Sequence, residues 1–114
     1  MKELDYYEEL YVIANSASRV GITFNHRLYH CTAWYSDVIP GDKDSYVFLK
    51  SYNTVVAVYL INERKVVRFG KYSNTTYQHM RKFRQAMWLE HVNALDFSPW
   101  DIQEVQCEFV NWYK

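Results

Sequence analysis

The chain has 114 residues, 49% hydrophobic and 23% charged, which is the composition of one folded domain and excludes a disordered chain. Two cysteines, Cys31 and Cys107, make no disulfide framework, and the longest uncharged stretch, 51–62, is too short to span a bilayer. The formal net charge is zero, the start Met1-Lys2-Glu3-Leu4-Asp5 carries no secretory pattern, and a cytoplasmic protein with reduced thiols and no membrane partner is the expectation.

In chain order, residues 3–15 read as a helix: Leu4, Tyr7, Leu10, Tyr11 and Ala14 recur at three- and four-residue spacing with acids between them. The stretch 20–35 is rich in β-formers and predicts one bent strand or two short ones. Residues 37–45, with Pro40-Gly41, predict a loop. Residues 46–49 and 54–61 predict strands, Asn62-Glu63-Arg64 a tight turn, and residues 65–69 the returning arm of a hairpin spanning 54–69. Thr75 or Thr76 can cap a helix running to about residue 89. Its buried sector would hold Tyr77, Met80, Phe83, Met87 and His91, with Gln78, Arg81, Lys82 and Gln85 outward. Ser98-Pro99 then suits an N-cap and first helical position, and Ile102, Val105, Phe109 and Trp112 continue at helical spacing, predicting a C-terminal helix. Val105, Cys107 and Phe109 also alternate, which leaves a strand open. The fold class predicted is α+β: a small antiparallel sheet around the central hairpin, packed with N-terminal, central and C-terminal helices.

Aromatic residues make up 18%, with eleven Tyr, too many to bury with every hydroxyl satisfied, so some should serve a binding face. The charges are segregated. Residues 1–15 and 90–114 are acidic, whereas residues 64–89 hold Arg64, Lys65, Arg68, Lys71, Arg81, Lys82 and Arg84 with no acid. If hairpin and helix pack together, these seven join Tyr72, Tyr77 and His79 in one patch. Arginine interleaved with aromatics suits phosphate contact with base stacking, and equally an acidic protein surface; the alternative is a solvated face. The partner-binding candidates are therefore Arg64, Lys65, Arg68, Lys71, Tyr72, Arg81, Lys82 and Arg84.

Catalytic signals are missing. With only Gly21, Gly41 and Gly70 there is no phosphate loop, neither cysteine sits in a nucleophile signature, and no spacing singles out a carboxylate pair. The expectation is no enzyme and no cofactor. Zn2+ is the one alternative, through His26, His30 and Cys31 completed by His79, His91 or Cys107, but no second ligand pair of known form is present.

Ser51-Tyr52-Asn53-Thr54-Val55-Val56-Ala57, followed by Tyr72-Ser73-Asn74-Thr75-Thr76 with His79 and Phe83, carries a resemblance. The pattern SYNTxVA before a hairpin, then YSxTTxxHxxxF opening a helix, resembles a family of small proteins of phages and mobile elements of Gram-positive bacteria. The match covers about residues 46–84. It implies a hairpin-plus-helix core and a phage context, with no activity attached. By analogy of size, composition and context the chain looks like an anti-CRISPR protein. That implies a stoichiometric inhibitor, in the host bacterial cytosol, of a type II CRISPR effector nuclease or its guide complex. The alternative is a nucleic-acid-binding phage accessory or regulatory protein using residues 64–84.

Overall fold

The computed structural model describes residues 3–16, 21–70 and 72–107. Helix α1 spans Glu3–Asn15, as its spacing predicts, and buries Tyr7, Leu10, Tyr11 and Ala14. The β-rich stretch after it resolves into two short strands, β1 (His26–Arg27) and β2 (Ala33–Tyr35). Then follow β3 (Tyr46–Ser51), β4 (Thr54–Leu60), β5 (Lys65–Arg68), helix α2 (Asn74–Met87) and β6 (Gln103–Gln106). The cap of α2 is Ser73 rather than a threonine: its hydroxyl accepts the Thr76 N–H. Helix α2 runs on into one π turn, Trp88–Val92, which Asn93 closes in the left-handed conformation.

The six strands lie side by side in chain order, β1 to β6. All neighbours are antiparallel except the last pair, β5 and β6, which is parallel because α2 carries the chain back across the sheet. The two helices cover opposite faces. Helix α1 packs its buried side chains on Phe48, Val58, Leu60, Val67 and Phe69, and α2 packs Met80, Phe83 and Met87 on Val47, Leu49, Tyr59 and Val66. Five consecutive residues of β4, 56–60, are buried. A strand covered on both faces reads as an unbroken apolar run, and TVVAVYL does so. The register slips once, between Leu49 and Lys50, and the bulge leaves Val56 between the paired residues Val55 and Ala57. Cys31 lies in the α2-side core and Cys107 in the α1-side core, so the sheet separates the two cysteines.

The C-terminal helix expected from Ile102 and Val105 is not formed over the described residues. A single 3-10 turn, Pro99–Asp101, is followed by strand β6, paired from Lys65–Gln103 to Arg68–Gln106. Period two explains the result better than helical spacing does. Val105 and Cys107, two apart, both pack on the α1-side core, while Glu104, one residue before Val105, faces α2. Phe109 and Trp112 fall outside the described residues.

Asp44 ties the 37–45 loop to the hairpin. Its carboxylate is 4% exposed and accepts the Asn62 N–H at 2.9 Å and the Glu63 N–H at 3.1 Å, holding the β4–β5 turn in which Arg64 has φ 51°. Asp44→Ala removes the carboxylate that accepts both turn amides and should cost about 2 kcal/mol, because hydrogen bonds to a charged group are the stronger ones. Urea unfolding should show a lower midpoint at unchanged slope; a change below about 0.5 kcal/mol would contradict this role for Asp44.

Candidate partner-binding site

The sheet and α2 divide the basic block. On β5, Lys65 and Arg68 are three apart and so face opposite sides. Lys65 is on the α1 side, its Nζ donating to the Tyr7 hydroxyl at 3.1 Å. Arg68 is on the α2 side with its guanidinium 5.3 Å from the Tyr77 ring. Arg64, in the hairpin turn, lies 4.9 Å over Phe97. Lys71 lies outside the described residues. Tyr72 is half-buried against the α2-side core, its N–H donates to the Tyr77 hydroxyl, and burial pushes its own hydroxyl up to about 12. It packs rather than offering itself to a partner.

The acid that the 64–89 window lacks arrives from β6. Glu104 Oε1 is 2.9 Å from Arg84 Nη1, and its Oε2 is 3.8 Å from Arg68 Nε. The second distance is that of an ion pair without a hydrogen bond, and Arg68 Nε is buried with no hydrogen-bond partner. All three side chains are at most a quarter exposed, so screening by water is reduced. One carboxylate therefore offsets two guanidiniums that linear counting assigned to a free patch.

Arg81 and Lys82 remain, both exposed on α2 as the helical spacing predicts, together with Gln78 and Gln85. With Trp100 these four line a depression of about 310 Å³. The Trp100 ring is 48% exposed and lies 5.5 Å from the Arg81 guanidinium and 5.2 Å from that of Arg84. It is held there by the Ser98-Pro99 turn: the Ser98 hydroxyl accepts the Trp100 N–H, and the Asp101 carboxylate accepts the Ser98 N–H. On the other side of Lys82 and Gln85 a second groove, also about 310 Å³, is walled by Arg27, Tyr29, Tyr35, Ala86 and Leu89. Lys82 Nζ donates to the Tyr29 carbonyl at 3.4 Å, joining the two depressions. Tyr29 is 79% exposed and Leu89 62%.

Trp100, Tyr29, Leu89 and Arg27 escaped the sequence reading. For Leu89 a signal existed: Gln78, Lys82, Gln85 and Leu89 follow at spacings of four, three and four, so Leu89 continues the outward stripe of α2. For Trp100 the signal was the rigid Ser98-Pro99 start that presents it. Arg27 and Tyr29 reach the helix only through the tertiary fold.

The metal candidates do not converge. His26 lies 2.5 Å from Asp37 Oδ1 and stacks on Tyr35, His30 lies against Tyr29, and Cys31 is buried in the α2-side core. Among the described residues no group of three or more His, Cys, Asp or Glu side chains is placed to hold a metal ion.

The two motif blocks, 51–57 and 72–83, do meet. Ser51 Oγ is 2.8 Å from His79 Nδ1 and 3.4 Å from Thr76 Oγ1, and the Tyr52 ring lies over His79. Ser51 is 2% and His79 4% exposed, and among the described residues no carboxylate orients the imidazole. A nucleophile must meet its substrate, so this cluster is a tether from the end of β3 to the start of α2. Burial, and then the charge of Lys82, hold His79 below its ordinary value of 6.5. The unfolded chain takes the proton at that ordinary value and the folded one resists it. The stability is therefore complete above 6.5 and is lost as pH falls below it. Thermal midpoints measured one unit either side of 6.5 should differ more for the wild type than for His79→Asn, whose amide can still bond Ser51. Equal differences would contradict this.

No curated protein and no solved structure matches the chain. A family model does, over residues 11–98. The chain belongs to that family, a family of unknown function (DUF8033).

Proposed function

We propose that this chain is a non-enzymatic binding module that docks one protein partner through the outer face of α2 and Trp100. The observation that carries the reading is the mixture on that face. Arg81 and Lys82 stand among an exposed Trp, Tyr and Leu, while Glu104 offsets Arg68 and Arg84. Protein interfaces draw their affinity from a few Trp, Tyr and Arg anchors in such a setting. Tight, sequence-independent binding to nucleic acid needs a longer run of free cations, because each neutralised phosphate adds one increment to affinity. The partner class rests on the analogy of size, composition and phage context: a type II RNA-guided nuclease with its guide, bound stoichiometrically and inhibited in the bacterial cytosol. A second reading, a nucleic-acid-binding accessory protein, draws on Trp100 as a stacking platform beside Arg81 and Lys82.

The double variant Arg81→Glu, Lys82→Glu tests the face. Affinity for the purified nuclease–guide complex, measured by surface capture, should fall by about a hundredfold, since charged anchors in an interface carry a few kcal/mol. Both side chains are exposed, so the thermal midpoint should stay within a few degrees. Arg64→Glu, on the hairpin turn, should bind as the wild type does. Unchanged affinity in the double variant would remove the α2 face from the account. Affinity for a single-stranded oligonucleotide that exceeds that for the nuclease and falls steeply with salt would favour the second reading.

A further inference from the structure

Resting on the docking reading above, we infer that the α2 face recognises an extended acidic peptide segment of its partner, carrying one large aliphatic or aromatic anchor. The two depressions share Lys82 and Gln85 and open on opposite sides of that pair. A ligand filling both must cross α2. A helix is about 10 Å wide and an extended chain advances about 3.3 Å per residue, so about three residues cross it and a segment of about six fills both sides.

The two sides ask for different chemistry. The Trp100 side is lined by Gln78, Arg81, Lys82 and Gln85, two amides and two cations, which suit carboxylates and backbone groups. On the far side Ala86 and Leu89 form an apolar floor beside Tyr29 and Tyr35, with Arg27 and Lys82 at the edge. Leu89 sits where a merely solvated helix would carry a polar residue, and Tyr29 stands beside it almost fully exposed. Glu90, close by, is occupied: the Tyr35 hydroxyl donates to its carboxylate at 2.9 Å, and His91 lies 3.8 Å away. The charge left for a ligand is positive, so the complement is an anion. The aliphatic floor makes that anion a peptide with an apolar side chain, because a nucleic-acid strand would set phosphates or bases against Leu89.

The test is selection of a displayed random peptide library, about twelve residues long, on the full chain. Affinities of the selected peptides, labelled with fluorescein, are then measured for Lys82→Glu, Leu89→Asp and Arg64→Glu. The inference expects enriched sequences with two or more Asp or Glu flanking a Leu, Ile, Phe or Met. It expects Lys82→Glu and Leu89→Asp each to weaken binding by about tenfold or more, and Arg64→Glu to change it by less than about twofold. It is overturned if no peptide is selected, if the selected peptides lack acids, or if both groove variants bind as the wild type does. It is also overturned if a twelve-nucleotide oligothymidylate displaces the peptides and binds more tightly with a steep salt dependence. The two levels separate cleanly. Loss of nuclease binding in the Arg81→Glu, Lys82→Glu protein with no acidic peptide selected leaves the docking face standing and sinks the peptide. Acidic peptides that respond to Lys82 and Leu89, with no nuclease binding, sustain the peptide and remove the nuclease.

Discussion

The parallel pairing of β6 beside β5 is the constraint from which the surface chemistry follows. Once Gln103–Gln106 lies against Lys65–Arg68, period two turns Val105 toward the α1-side core and Glu104 toward α2. Glu104 then reaches both Arg84 on the helix and Arg68 on the strand. The same connection places the Ser98-Pro99 turn, and with it Trp100, beside Arg81 and Arg84. One edge strand thus removes charge from part of the basic block and sets an aromatic ring against what remains.

Beneath that surface the sheet works as a partition. Helix α1 and helix α2 cover its two faces, so the central strands lose all amphipathic alternation and become the most buried part of the chain. This arrangement absorbs much of the aromatic content. Tyr7, Tyr11, Tyr35, Tyr46 and Tyr59 are buried, and burial is the largest cause that pushes the Tyr59 and Tyr35 hydroxyls up to about 12. Tyr59 does so with its hydroxyl lacking a hydrogen-bond partner, a cost that its ring packing offsets. The tether of Ser51, Thr76 and His79 fixes the first turn of α2 to the end of β3 and so fixes how the outward stripe of α2 is presented.

The sequence was readable where the signal is local. The helix over 3–15, the hairpin arms and the outward positions of Arg81 and Lys82 follow from periodicity and β-branched content, which need no distant partner. It was unreadable where tertiary pairing decides. Ile102 and Val105 fit a helix as well as a strand, and only docking on β5 selects the strand. The charge block failed for the same reason: Glu104 is remote in sequence from Arg68 and adjacent in space. Lys65 and Arg68 could have been separated without the structure, since an alternating strand sends positions three apart to opposite faces. The resemblance of the 51–57 and 72–83 blocks located a real spatial cluster, and its residues tie elements together rather than line the α2 face.

Glu104→Gln tests the central claim most directly, that one carboxylate from β6 turns a basic block into a mixed docking face. The substitution keeps the size and shape of the side chain and removes only its charge. The account predicts a loss of stability of about 1–3 kcal/mol, because two poorly hydrated guanidiniums lose their counter-charge. It also predicts a gain of affinity for a single-stranded oligonucleotide that disappears at high salt. A Glu104→Gln protein with unchanged stability and unchanged oligonucleotide affinity would contradict it.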